Sequence, residues 1–454
     1  MIFSAAVLID RLAQVAVGNT TGVIWIAYSG GMDSRVLLQL ALEAGLNAEG
    51  RLKAVHIHHG LHPLADDWAL HCQSTAEGLG VALAVHRISI EPGSSLENQA
   101  RIGRYRVFES LLGDADLLLQ GHHADDQAET LLLRLMRGSG VRGLASIPKT
   151  RPLGRGRLIR PLLDCTRRQL ECYAVERQLR WVDDPSNQDM LHDRNYLRAS
   201  VLPLLKQRWS AAVPLLALSA RNSADAQRLC EELAAIDLQR CQQQDAGLSV
   251  DSLAQLSNHR RANLLRHWLQ TRAGVLPDAA LLRRLWAEVA NARIDAQPQM
   301  QLRAMWLRRF EGGLYLLPEP LQIDSKQVWD WLLVPGGISE LQLPGGRLRA
   351  EPRIGAGLAL PDSGVLQIRL RQGGERIQLS GRAGSRSLKK LLQQSRIAPW
   401  QREQLPLIYA GAQLLAVADL WLAEGCLAAP EQVGLALSWT PLPAAVVPLN
   451  DGDF

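Results

Sequence analysis

The chain has 454 residues, 47% hydrophobic and 21% charged, with a formal net charge of +5 and a pI of about 9.0. That length suggests roughly two to four domains, the composition is that of a soluble globular protein, and the mild basicity permits a polyanionic partner without demanding one. No run approaches the roughly 20 apolar residues that span a bilayer, and the cysteines (Cys72, Cys165, Cys172, Cys230, Cys241 and Cys426) form no C-x-x-C pair, which argues against zinc ribbons and Fe–S clusters and fits reduced thiols in a cytoplasm.

The apolar stretch Ile2 to Leu8 is cut short by Asp10 and Arg11 and reads as an amphipathic helix, not a signal peptide. Next, Val23 to Tyr28 reads as a strand, Ser29-Gly30-Gly31-Met32-Asp33-Ser34 as a turn, and Arg35 to Leu42 as a helix. Strand, glycine turn, helix is the geometry that sets backbone N–H groups and a helix N-terminus around an anion. The paired glycines let the backbone approach a phosphate, and Ser29 and Ser34 add hydroxyl donors. The absence of a lysine excludes the Walker pattern. Asp33 would repel a phosphate unless a cation such as Mg²⁺ sits between them or the carboxylate caps the helix.

Short strands then alternate with helices: strand 54–57, helix 67–79, strand 81–88, helix 96–112, strand 116–120 and helix 123–136. Such alternation predicts a parallel sheet covered on both faces, with ligands at the carboxyl ends of its strands. At one such end, His56, His58, His59 and His62 crowd into seven residues. No Cys or carboxylate falls at zinc-like spacing, so the preferred reading has the groups around His56 contacting an adenine; a plain polar loop is the alternative. Glu97, Arg101, Arg104 and Tyr105 share a helix face. It is either solvated, or it offers Arg101 or Arg104 to a phosphate or an RNA.

Residues 121–130, Gly-His-His-Ala-Asp-Asp-Gln-Ala-Glu-Thr, follow a strand and open a helix. Acidic first turns suit the helix dipole. Paired Asp125 and Asp126, with His122 four residues before Asp126 and Glu129 one turn on, point further, to a crevice shared with Asp33. One carboxylate from each loop, Asp33 and Asp126, would hold Mg²⁺ together with water and phosphate oxygens. From Arg134 to Arg208 there are 16 Lys/Arg against 7 Asp/Glu, leaving the rest of the chain slightly acidic. That excess beside a nucleotide site suits nucleic-acid phosphates.

Three segments now stand in order: SGGMDS at 29–34, GHHADDQAETLLLRLMRGSGVRGL at 121–144, and IRPLLD at 159–164 with WVDDPSNQD at 181–189 and DRNYLR at 193–198. The first resembles the PP-loop of ATP-pyrophosphatases; together they resemble the tRNA(Ile)-lysidine synthetase family over nearly all of 20–205. The resemblance implies a ligase that adenylates O2 of the wobble cytidine in an isoleucine tRNA with a CAU anticodon. Free L-lysine then displaces AMP at C2 through its ε-amine. It implies ATP and Mg²⁺ as cofactors, with Ser29, Gly30, Gly31, Met32, Asp33 and Ser34 on the phosphates and Asp33 and Asp126 near the metal. His122, Arg194 and Arg101 or Arg104 become candidates for the cytidine and lysine site. His62-Pro63-Leu64-Ala65 stands where the family often has an arginine and small polar residues after His-Gly-Leu.

The expected architecture is α/β: a doubly wound parallel-sheet PP-loop domain (1–215), a mainly helical tRNA-binding domain (216–330), a connecting segment (331–365), a small α+β domain for the acceptor arm (366–437) and a tail (438–454) whose Asp451-Gly452-Asp453 reads as disordered. Arg260, Arg261, Arg266, His267, Arg272, Arg283 and Arg284 give the helical part a basic surface, and Arg382, Arg386, Lys389, Lys390 and Arg402 are the phosphate contacts expected further on. A cytoplasmic protein without membrane attachment is expected; a homodimer is compatible with the sequence but not specified by it. The rivals are another PP-loop enzyme, such as a tRNA thiolase or an amidotransferase-linked synthetase, and a non-catalytic RNA-binding protein.

Overall fold

The computed structural model describes residues 4–442 apart from 16–21, 61, 90–95, 186–188, 244–246, 294–295, 297, 320–323, 325, 335, 361–364 and 381–383. Arg382, the Ser186-Asn187-Gln188 part of the polar loop and the acidic tail therefore lie outside the described residues. The chain divides into two units, Met1–Cys230 and Glu231–Phe454. No helix among the described residues is long and apolar enough to cross a membrane.

In the first unit the elements run α1 (Ala5–Val15), β1 (Ile24–Ala27), α2 (Met32–Glu43), β2 (Leu52–His58), α3 (Ala65–Gly78), β3 (Ala82–Arg87), α4 (Leu96–Leu111), β4 (Leu117–Leu119) and α5 (Ala124–Met136). After them come α6 (Val141–Leu144), β5 (Thr150–Leu153), β6 (Gly156–Ile159), α7 (Arg167–Glu176), α8 (Asp193–Tyr196) and, through a π-helical turn at Leu197–Val201, α9 (Leu202–Arg208). The sheet order is β3-β2-β1-β4-β6-β5. All neighbours pair in parallel except β5, which returns antiparallel to β6.

Alternation along the strands feeds two cores. Ile24, Ile26, Leu52, Ala54, Leu117 and Leu119 face one layer with residues of α1, α2, α3 and α7, while Val55, Ile57 and Leu118 face the other with Phe108 of α4. Because both faces are covered, the central strands β1 and β4 read as continuous apolar runs. This is the doubly wound α/β architecture. The chain moves outward from β1 through β2 to β3, then returns to the far side of β1 with β4, so the order reverses between β1 and β4. A crevice at the carboxyl ends of those two strands is where such sheets bind ligands.

The second unit is richer in strands than the sequence reading allowed. Strands Leu248–Ser249, Gln299–Leu302, Met305–Phe310 and Gly313–Pro318 form a four-stranded sheet beside the helices Asn258–Ala273 and Ala279–Arg284. The segment 331–365 is not a connector: Ser339–Leu343 and Gly346–Ile354 form a hairpin, and the second of these strands pairs with Val433–Pro441. Leu343, Leu348 and Ala350 are buried in the C-terminal core. The pairing is long-range, so no local pattern announces it. That α+β region begins at Val328, in the strand Val328–Leu332.

Candidate active site

The loops after β1 and β4 meet at the switch point. After β1, Gly30 takes φ +86°, the left-handed region that glycine favours. Ser29 N–H donates to Ser34 Oγ at 3.2 Å, and Ser34 Oγ donates to the Gly31 carbonyl at 2.9 Å, so the turn is held from within. Gly31 is the N-cap of α2 and provides no side-chain cap, which leaves the first N–H groups of a 12-residue helix for an anion. Met32 and Ser34 are buried, and Gly30 O accepts from Val182 N at 3.0 Å, which brings the polar loop after α7 against the turn.

The β4 loop presses on this turn. A Cβ on Gly121 would lie 3.0 Å from Asp33 O and 3.1 Å from its carbonyl carbon. Gly121→Ala must therefore push the two loops apart. We expect roughly a tenfold or larger loss of ATP affinity, readable by equilibrium titration with a non-hydrolysable nucleotide; unchanged affinity would mean the loops do not share one nucleotide.

Across the crevice, His123 links the two loops. It is the N-cap of α5 in a capping box with Asp126: His123 N donates to Asp126 Oδ2 at 2.9 Å, and Asp126 N donates to His123 Nδ1 at 3.4 Å. Its Nε2 lies 3.5 Å from Asp33 Oδ2. Burial would lower the His123 pKa, but Asp33, Asp126 and Asp125 around it raise it. Asp33 Oδ1 is buried and has no hydrogen-bond partner.

Behind His123 lies a charged lattice. Glu129, fully buried, accepts from Arg194 Nε and from Arg198 Nε, both at 2.7 Å. Asp126 Oδ1 accepts from Arg194 at 2.7 Å and Arg198 at 3.4 Å. Burial alone would raise the Asp126 carboxyl, but His123 and Arg194 hold it down at about 2. Asp125 accepts from Lys206 Nζ at 2.9 Å and from Arg167 N at 2.8 Å, so it ties α5 to α9 and α7.

The expected residues are thus only partly gathered. Asp33, Asp126 and Arg194 come together, with Ser29, Gly30, Gly31 and Ser34 beside them. Asp126 fits a metal poorly, because both its oxygens are taken by arginines and the cap; Asp33, with an orphaned oxygen, fits one. A single carboxylate is enough for Mg²⁺, which takes most of its ligands from water and phosphate. It is His123, not His122, that spans Asp33 and Asp126. His122 Nδ1 instead accepts from Arg160 Nε at 3.2 Å. Burial, with the charges of Arg160 and Arg194, pushes the His122 pKa down to about 3, against the pull of Asp126.

The His56 side chain is buried. Alternation along β2 turns it to the same face as Leu52 and Ala54, where its Nδ1 lies 3.0 Å from Tyr28 O and 3.5 Å from Cys72 Sγ, beneath the glycine turn. Burial lowers its pKa. Arg101 and Arg104 diverge: Arg101 lies over the Tyr105 ring at 5.4 Å, and Arg104 contacts His59 Nε2 at 3.3 Å. Burial would raise the Tyr105 pKa, but Arg160, Arg101 and Arg151 bring it below its ordinary value.

The sequence reading singled out neither His123 nor Arg160 nor Arg198. Two signals were present: His123 stands three residues before Asp126 at a helix start, and Arg194 and Arg198, at i and i+4, match Asp126 and Glu129, at i and i+3.

In the second unit, two of the expected basic surface residues are engaged internally. Arg260 pairs with the fully buried Asp237, and Arg261 stacks on Trp286 at 3.8 Å. Arg386, Lys389 and Lys390 are exposed around the start of the helix Leu388–Gln394, while Arg402 donates to Ile397 O at 2.6 Å.

With this geometry in hand, comparison with known proteins is specific. A PP-loop domain model matches residues 5–205, a TilS substrate binding domain model 248–315 and a TilS substrate C-terminal domain model 366–439. The chain is 40% identical over 414 residues to the tRNA(Ile)-lysidine synthase of Coxiella burnetii, covering 90% of this chain and 91% of that one. It is 41% identical over 461 residues to that of Pseudomonas aeruginosa, covering 98% and 99%. Similarity of that extent along both chains, over a sheet that brings the PP-loop and the paired-aspartate helix to one crevice, means that the chain belongs to the tRNA(Ile)-lysidine synthase family.

Proposed function

We propose that this ATP-dependent ligase joins the ε-amine of free L-lysine to C2 of the wobble cytidine in a tRNA(Ile) bearing a CAU anticodon, by way of an adenylated cytidine, with Mg²⁺ required. The observation that carries the reading is the approach of Asp33 and His123 to 3.5 Å across the switch point, at the uncapped N-terminus of α2. The N–H groups of that turn would hold the phosphates of ATP in line with cytidine O2, a poor nucleophile that depends on positioning. Mg²⁺, when bound, supplies charge neutralisation for the departing pyrophosphate, and Asp33 is the residue that fits it. His123, held between Asp33 and Asp126, keeps the Asp33 carboxylate turned toward the crevice. The lysine ammonium would enter this crevice beside Asp126 and Glu129, whose charge is balanced by Arg194 and Arg198. A base must take a proton from that ammonium before the amine attacks.

The thiolase alternative finds little support. All six cysteines are free, and burial pushes the Cys72 thiol beside the turn up to about 12. The test is incubation with ATP, labelled lysine and a tRNA carrying CAU. Label in the RNA together with one pyrophosphate per lysine is expected. Sulfur incorporation would favour a thiolase, and ATP binding without turnover a binding protein.

A further inference from the structure

Arg160 sits at the carboxyl end of β6, next to β4 in the sheet, and is 4% exposed. Among the described residues, its guanidinium hydrogen-bonds to neutral groups alone. Nε donates to His122 Nδ1 at 3.2 Å, NH1 to Pro148 O at 2.8 Å, and NH2 to Tyr105 Oη at 3.3 Å. Tyr105 Oη in turn donates to Gln120 Oε1 at 3.4 Å, two residues before His122. A buried charge without an anionic partner is costly, and proteins retain one where it does something. An Arg Nε–H can only donate. The His122 nitrogen that receives it must therefore be bare, and the ring proton of the neutral imidazole must be on Nε2.

The geometry points to Arg160 as a positioning residue that fixes His122 in its neutral, Nε2-protonated form, so that His122 donates a hydrogen bond to a phosphoryl oxygen during transfer and is not the base that takes the lysine proton. This rests on the proposed reaction, with His122 directly following Gly121, which packs against the Asp33 backbone at the switch point. Asp126, Arg194 and His123 also act electrostatically on the ring. Arg160 adds positive charge behind it, which polarises the Nε2–H toward an oxygen gaining negative charge, as it does on the phosphate in both transfer steps. The segment Ile159-Arg160-Pro161-Leu162-Leu163, which the reaction had otherwise left without a task, is thereby given one.

Two substitutions at His122 separate donor from base. Glutamine presents an N–H close to the Nε2 position and cannot take a proton. His122→Gln is expected to keep kcat within about tenfold of the parent while His122→Ala loses about a hundredfold, the usual cost of one transition-state donor. Arg160→Leu should lower kcat and leave KM for ATP nearly unchanged, with Arg160→Lys recovering part of the loss. Nitrogen-15 NMR of the imidazole in the intact protein should find the His122 proton on Nε2 alone, with the second tautomer emerging in Arg160→Leu. A proton on Nδ1 in the parent, or equal losses for His122→Gln and His122→Ala, would overturn the assignment. So would full activity in His122→Ala alongside an inactive Asp33→Ala, which spares the proposed function; full activity in both would bring down that function as well.

Discussion

Asp33→Ala is expected to lower lysine- and tRNA-dependent pyrophosphate release by about a thousandfold, at the upper end of what one preorganised electrostatic group contributes. The chain should stay folded. The Asp33 side chain is one-third exposed, it makes an ionic contact with His123, and it lies in the first turn of α2, where a carboxylate adds only a little to helix stability. Destabilisation of about 1 kcal/mol or less is the expectation, visible in a thermal melt recorded beside the turnover assay. The asymmetry between the two readouts is the point. On the proposed reading, the orphaned Asp33 oxygen has its value in the loaded enzyme, not in the empty fold. Asp33→Asn should fare almost as badly in turnover, because the amide keeps the shape and loses the charge that a cation requires. If either variant released pyrophosphate at the parental rate, the phosphate and metal would have to lie elsewhere.

The sheet and the meeting of its two loops were legible because both follow from local patterns. From β1 to α5, strands of three to seven residues alternate with helices of 12 to 16 residues, and a glycine turn follows β1. The chemistry of the second loop was legible only to the level of residue type. His122 and His123 are adjacent and identical, and which of them reaches Asp33 depends on where α5 starts. Once His123 is the N-cap, its extended backbone turns the side chain toward Asp126 N and on to Asp33, and His122 points toward Arg160. The placing of the His56 side chain turns on a related point. A histidine at a strand end suggests a ligand, but its parity along β2 matches Leu52 and Ala54, so the side chain goes under the loop. Pro344-Gly345-Gly346 marks a turn between strand-like pieces, but the place of the hairpin 339–354 in the C-terminal core is hidden, because its partner strand, Val433–Pro441, lies some 80 residues further along the chain. Its alternation of Arg347 and Arg349 with Leu348 and Ala350 was visible, yet nothing in it names the partner.

Glu129→Gln should destabilise the first unit strongly. The carboxylate is fully buried and receives three arginine hydrogen bonds, from Arg194 Nε at 2.7 Å, Arg198 Nε at 2.7 Å and Arg198 NH2 at 3.0 Å. Glutamine keeps the volume but sets an amide N–H against a guanidinium and removes the charge that compensates both arginines. Arg194 and Arg198 are 40% and 29% exposed, so water relieves part of the penalty. About 3 kcal/mol, the low end for breaking a buried pair, is therefore expected, which for a unit of this size lowers the melting midpoint by roughly 6–12 °C. Turnover should fall too, since Arg194 and Asp126 are ordered by the same lattice. A double-mutant cycle with Arg198→Leu should show strong coupling, because removing the second partner cancels much of the unpaired charge. Acid should act through Asp126. Its folded pKa, about 2, lies below the unfolded value, so its contribution is whole above the ordinary carboxylate range and is lost as the pH falls toward about 2. Above that range, Glu129→Gln should lower the melting midpoint at every pH. A midpoint that matched the parent would mean that the lattice does not hold α8 to α5, and that Arg194 and Arg198 are free to meet the tRNA.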